Sequence, residues 1–241
     1  MNEADIQGAA QAGLNWLKQQ EPVSVKGISR TLQALTVWGE DTSRLSSALL
    51  SKQKNGYWET DKTLLDTARA GSALAGCWII QPETIRWIRE RQDKGCWNES
   101  EIDTAYALIA LGDMGVRDEE GCDWLCNNYT GKWEHAGTTA LIITALFKQD
   151  KELYRDFIKD RQSWILSKRE SGGWVHIATS NLVIQALVLT GDSDMVTEIE
   201  PSIVWLLGKQ ESNNPGNINS RALSLISLKV YLDKLNSDLL L

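Results

Sequence analysis

Two kinds of hydrophobic pattern alternate along the chain. From Glu83 to Gln92, Ile85, Trp87 and Ile88 stand among Arg86, Arg89, Glu90 and Arg91, which predicts an amphipathic helix with one charged face. Pro82 precedes it, where a first helical turn tolerates proline, and Asp93-Lys94-Gly95 breaks it. The next segment, Asp103 to Leu111, is apolar nearly all round and predicts a helix buried on more than one side. The same two steps recur. Charged helices are predicted from Asp150 to Lys168 and from Pro201 to Gln210. Apolar ones are predicted at Ile28 to Trp38, Leu64 to Ala75, Thr138 to Phe147, Ser180 to Thr190 and Arg221 to Tyr231. Counted in pairs they make six hairpins and twelve helices, and no segment alternates with the period of a half-buried strand.

Tryptophan marks the same period. Trp58, Trp97, Trp133 and Trp174 each follow a glycine and lie 39, 36 and 41 residues apart. A second series, Trp87, Trp124, Trp164 and Trp205, is spaced 37, 40 and 41, and Trp16 lies 71 residues before Trp87. A period near 40 residues is one supersecondary unit copied along the chain. An open stack of such units would want polar end caps. The last apolar helix, with Ala222, Leu223, Leu225, Ile226 and Leu228, is as apolar as the middle ones. The expectation is therefore all-α: a single domain over residues 1–241, an (α/α)6 toroid with apolar helices inside and amphipathic helices outside.

Charge narrows the partners. Lys plus Arg is 25 against 32 Asp plus Glu, a formal charge of −7, and no cluster of cations stands out, so no nucleic-acid partner is expected. No apolar run approaches 18 residues, so no membrane span is expected. The first residues carry neither a basic nor an apolar signal region, and the four cysteines read as free thiols, which together predict a cytoplasmic protein.

Trp87 to Gln92 followed by Gly95-Cys96-Trp97, and Trp164 to Lys168 followed by Gly172-Gly173-Trp174, resemble the prenyltransferase/squalene-oxidase repeat. That repeat builds class II terpene cyclases and the β-subunits of protein prenyltransferases. The resemblance runs from about Trp16 to Leu228 and implies the toroid and a lumen that holds an isoprenoid or other apolar small molecule. Cyclases of this kind protonate their substrate from an Asp-x-Asp-Asp-Thr-Ala stretch. Here Asp103-Thr104-Ala105 and Asp66-Thr67-Ala68 match its end, while Ile102 and Leu65 hold the proton-donating position. The resemblance thus leaves Asp103 or Asp66 as acid for a cyclisation, with His135 assisting. His135 also matches a histidine that helps hold diphosphate in prenyltransferase β-subunits. Their zinc ligands have no counterpart, because Gly173 to Ala186 carries neither Asp nor Cys.

Candidate chemistry gathers at helix ends. An Asp before an apolar helix is first an N-cap, worth about 1 kcal/mol, and in a toroid it would also border the lumen. His135 and His176 open successive apolar helices. Trp38 and Trp78 fall outside both tryptophan series and are candidates for ligand contact, as is Tyr106. Arg30 and Arg69, with Lys62 and Arg221, could make a cationic patch for a diphosphate. Cys122 and Cys126 share one helix face and read as small buried hydrophobes, with no fourth ligand for zinc. No magnesium motif and no phosphate-cradling glycine loop is present, so no metal and no cofactor is expected. Glu99, Glu101, Asp103 and Glu134 leave open a glycan-active enzyme, whose paired carboxylates would stand roughly 5–10 Å apart. The other class of function is a catalytically inactive toroid acting as a protein-binding or scaffold module.

Overall fold

The computed structural model describes residues 3–212 and 217–238, and among them every regular element is helical. In chain order these are α1 (Glu3–Lys18), α2 (Val25–Val37), α3 (Ser43–Leu50), α4 (Thr63–Gly76), α5 (Pro82–Arg89) and α6 (Glu101–Asp113). They continue with α7 (Glu119–Asn128), a 3-10 turn at Gly131–Trp133, α8 (Ala136–Asp150), α9 (Arg155–Ser167), α10 (Ile177–Thr190), α11 (Asp194–Ser212) and α12 (Ile218–Asp238). No helix among the described residues is long and apolar enough to cross a membrane.

The even-numbered helices carry the core. In α4, Leu64, Ala68, Ala70, Ala73 and Leu74 are buried around most of the circumference. In α5 only Thr84, Trp87 and Ile88 are buried, on one stripe. Helix α2 packs on α4, α4 on α6, α6 on α8, α8 on α10 and α10 on α12, and α12 packs on α2. Each of α3, α5, α9 and α11 packs chiefly on the even-numbered helix before it, and α1 takes the equivalent place beside α12. Trp38 spans the α2–α12 contact, donating from Nε1 to the Leu225 carbonyl at 2.9 Å.

What joins an odd-numbered helix to the even-numbered helix after it is the glycine-tryptophan unit. Trp97 is fully buried. Its Nε1 donates to the Ile88 carbonyl at the end of α5 at 2.7 Å, and its backbone N donates to Thr104 Oγ1 in α6 at 3.1 Å. Trp58 repeats this with Leu49 and Thr67, and Trp174 with Ile165 and Ser180. Each tryptophan follows a tight turn whose two central residues have positive φ: Asn55-Gly56, Lys94-Gly95 and Ser171-Gly172. That is a type I′ pattern, which favours glycine. Gly95 also has no room for a side chain, since a Cβ there would lie 2.9 Å from the Glu120 carbonyl of α7.

Several local expectations are corrected. The fourth tryptophan, Trp133, does not repeat the arrangement. It lies half-buried in the 3-10 turn against Trp124 and Tyr129, and the Tyr129 and Thr139 hydroxyls share a hydrogen bond at 2.8 Å. Tyr129-Thr130-Gly131 lacks the paired positive-φ residues, so the chain enters by another route. Asp103 and Asp66 are not N-caps. Ser100 caps α6, accepting from the Asp103 N–H, and Lys62 precedes α4 without a side-chain cap. A helix does not begin at Asp150. Its Oδ1 instead accepts the Glu152 and Leu153 N–H groups at 3.1 Å and turns the chain between α8 and α9. Pro201 lies inside α11 rather than at its start, and burial of Val196, Ile199, Ile203 and Leu206 along one face offsets the lost backbone bond.

Candidate functional site

The even-numbered helices share a second periodicity that places side chains on one face. Positions 30, 33 and 37 in α2 are Arg, Gln and Val. Positions 69, 72 and 76 in α4 are Arg, Ser and Gly, and 106, 109 and 113 in α6 are Tyr, Ile and Asp. In α8 positions 141, 144 and 148 are Leu, Thr and Lys, in α10 positions 182, 185 and 189 are Leu, Gln and Leu, and α12 adds Ile226 and Val230. Residues three, four and seven apart line one side of a helix. All of these face a single cavity of about 500 Å³, bordered by all six even-numbered helices.

One end of the cavity is open. Val37 and Leu189, at the C-terminal ends of their helices, are exposed, and Trp78 beyond the end of α4 is 93% exposed with φ +62°. Here Lys148 pairs with Asp113, which also accepts from the Ser72 hydroxyl. The opposite end is buried and cationic. Arg30 is only 8% exposed. It reaches Gln33 Oε1 at 3.4 Å and the Tyr106 hydroxyl at 3.3 Å, and its Nε has no partner. Arg69 lies over the Tyr106 ring, 4.5 Å from its centroid, and pairs with Asp66 at 2.9 Å. The other Asp66 oxygen accepts from Thr60 Oγ1 at 2.9 Å.

Burial lowers the pKa of the Arg30 guanidinium, and the charge of Arg69 lowers it further against the raising influence of Tyr106. Burial alone would raise the Tyr106 phenol, but the charges of Arg30 and Arg69 beside it outweigh that and bring it down.

Among the residues predicted from sequence, Arg30, Arg69, Tyr106 and Trp78 line this cavity, and Asp66 joins it through Arg69. Trp38 is held by α12 and by Lys229, whose ammonium lies 5.8 Å from its ring. Asp103 lines a separate cleft of about 540 Å³ with Trp87 and Arg91, and accepts from Asn98 at 2.7 Å. His135 caps α8, its Nδ1 accepting from the Gly137 N–H at 3.2 Å. His176 precedes α10 without a capping bond. Both histidines are exposed and line neither cavity. Asp66, Asp103 and His135 therefore do not share one pocket. Cys122 is buried and Cys126 half-buried. Among the described residues no group of three or more His, Cys, Asp or Glu stands together as for a metal ion.

Sequence reasoning missed Gln33, Thr36, Ser72, Asp113, Thr144, Lys148 and Gln185, further polar residues that line the cavity. Their signal was present as polar positions recurring further along the same face, three residues beyond the Arg30 and Arg69 register at Gln33 and Ser72 and seven beyond Tyr106 at Asp113, in otherwise apolar helices. No family model matches this chain, and no curated protein matches it.

Proposed function

We propose that the chain is an (α/α)6 toroid that holds an isoprenoid or another apolar molecule in its lumen. The observation that carries this reading is the cavity bordered by all six even-numbered helices, about 500 Å³ in volume, within the roughly 300–1,000 Å³ of ligand sites. The cyclic order of helix contacts supports the shape, and the aliphatic lining supports an apolar guest. Binding is favoured over acid-initiated cyclisation. Asp66 has both carboxylate oxygens engaged, Asp103 borders another cleft, and Ile102 has no proton to give. The test is calorimetric titration with geranylgeraniol, with Ile109→Trp as the plugged variant. Binding should disappear in a variant whose circular dichroism is unchanged. Binding that survives the plug would place the guest elsewhere.

A second reading, a catalytically inactive protein-binding module, is favoured by Trp78, 93% exposed at the open end, and by Ile80 two residues further along the chain, 44% exposed. A photo-crosslinking residue at position 78 gives a protein adduct in cells under this reading and none under the first.

A further inference from the structure

Three cations line the lumen, and two are matched. Lys148 has Asp113, and Arg69 has Asp66. Arg30 makes no ion pair among the described residues. Its two hydrogen bonds, at 3.3 and 3.4 Å, are long and go to neutral groups, and its Nε makes none. The Arg69 Nε beside it is also unpartnered. A guanidinium taken out of water without a counter-charge costs several kcal/mol, so buried cations are normally paired. Here the missing negative charge has a place to come from: the cavity that Arg30 lines opens at its far end, and the wall between carries Ile109, Leu182, Ile226 and Val230 alongside polar groups such as Ser72, Thr144 and Gln185.

Deepening the lumen-binding reading, on which it rests, we propose that the guest is a long-chain carboxylic acid whose carboxylate pairs with Arg30 at the buried end while its apolar tail runs toward Trp78 at the open end. The planar fork of arginine accepts a carboxylate through two parallel bonds. One unmatched cation fits one negative charge. A diphosphate would bring more charge than Arg30 offsets and would meet the Asp66 carboxylate already paired to Arg69. Tyr106, whose ring lies under Arg69 and whose oxygen accepts from Arg30, fixes the two guanidinium groups side by side.

The experiment titrates the delipidated full chain with hexadecanoic acid, hexadecanol and geranylgeranyl diphosphate. The acid should bind about 10- to 100-fold tighter than the alcohol of equal length, as expected for a charge-assisted bond. Arg30→Met should abolish that preference while retaining alcohol binding, and should raise the melting temperature of the empty protein by removing an unpaired buried charge. Arg30→Lys, which keeps the charge without the fork, should weaken the acid and leave the alcohol unchanged. Equal binding of acid and alcohol to the wild type, a preference that survives Arg30→Met, or tighter binding of the diphosphate would each overturn the inference and leave the lumen reading standing. Binding of none of the three would end both.

Discussion

Trp97→Phe isolates the unit that makes the repeat. The indole is fully buried and its Nε1 donates to the Ile88 carbonyl at 2.7 Å, tying the end of α5 to the start of α6. Phenylalanine keeps an aromatic ring and removes the donor. The Ile88 carbonyl retains the Arg91 N–H at 3.2 Å, so it is not orphaned, and the lost bond is worth about 0.5–1.5 kcal/mol. The smaller ring leaves a void of a few tens of Å³, which at about 24 cal/mol per Å³ adds roughly 1 kcal/mol. The total is near 2 kcal/mol, or about 4–8 °C in melting temperature for a chain of this size. Trp97→Ala should cost about 3–5 kcal/mol.

The control lies in the same chain. Trp133 occupies the same repeat position but is half-buried and makes no such bond, so Trp133→Phe loses only part of its ring contact with Trp124 and Tyr129 and should cost about 1 kcal/mol or less. Urea unfolding followed by far-ultraviolet circular dichroism, with equal m-values, measures both. Equal losses at 97 and 133 would show that the bonded geometry is not what holds an odd-numbered helix to its successor, and the account of the repeat would fail.

Three further outcomes are expected. Trp38→Phe removes the bond across the α2–α12 contact and should lower stability by about 1 kcal/mol in the same assay, and no loss would detach that seam from Trp38. Asp66→Asn strands Arg69, whose side chain is 11% exposed, and should cost about 3 kcal/mol while Asp103→Asn, in its separate cleft, costs under about 1. Similar losses by thermal unfolding would refute the pairing. Burial pushes the Cys122 thiol far above its ordinary value, and burial with nearby Asp123 pushes Cys126 up to about 12. Thiols in the unfolded chain ionise near pH 8.5, so above about that pH the unfolded state holds fewer protons than the folded one. Their stabilisation is then complete below about pH 8.5 and declines as pH rises. The alkaline fall in melting temperature should be shallower in Cys122→Ala/Cys126→Ala, and an unchanged slope would contradict the shifts.

Helices were legible because their signal is local and repeated. Leu64, Ala68, Ala70, Ala73 and Leu74 announce burial by spacing alone, and Trp58, Trp97 and Trp174 announce the unit by returning. The exception at Trp133 was not legible, because it turns on the φ angles of Lys94-Gly95 and its counterparts, which Thr130-Gly131 does not adopt. The candidate site was only half legible. Arg30 and Arg69 were picked as cations near helix starts and Tyr106 as an aromatic candidate for ligand contact, but their grouping depends on which faces of α2, α4 and α6 point inward. The Asp66–Arg69 pair could not be told from a solvated i,i+3 pair without knowing that both side chains are buried.

The motif most suggestive of chemistry has a structural explanation. The threonine of each Asp-Thr-Ala copy, Thr67 and Thr104, receives the backbone N–H of the tryptophan wedge, and Ser180 does so in a third unit. Those hydroxyls are fully buried. A buried N–H needs a partner wherever the wedge is used, so the hydroxyl recurs with the wedge and its period follows the architecture. A ligand site has no reason to repeat. Its groups differ from helix to helix, with Arg in α2 and α4, Tyr in α6 and Leu in α8 and α10 at equivalent positions around the cavity. The asymmetry among equivalent positions, rather than the recurring motif, therefore marks where a guest would be recognised. By that criterion Arg30 and Tyr106 carry more functional information than Asp103.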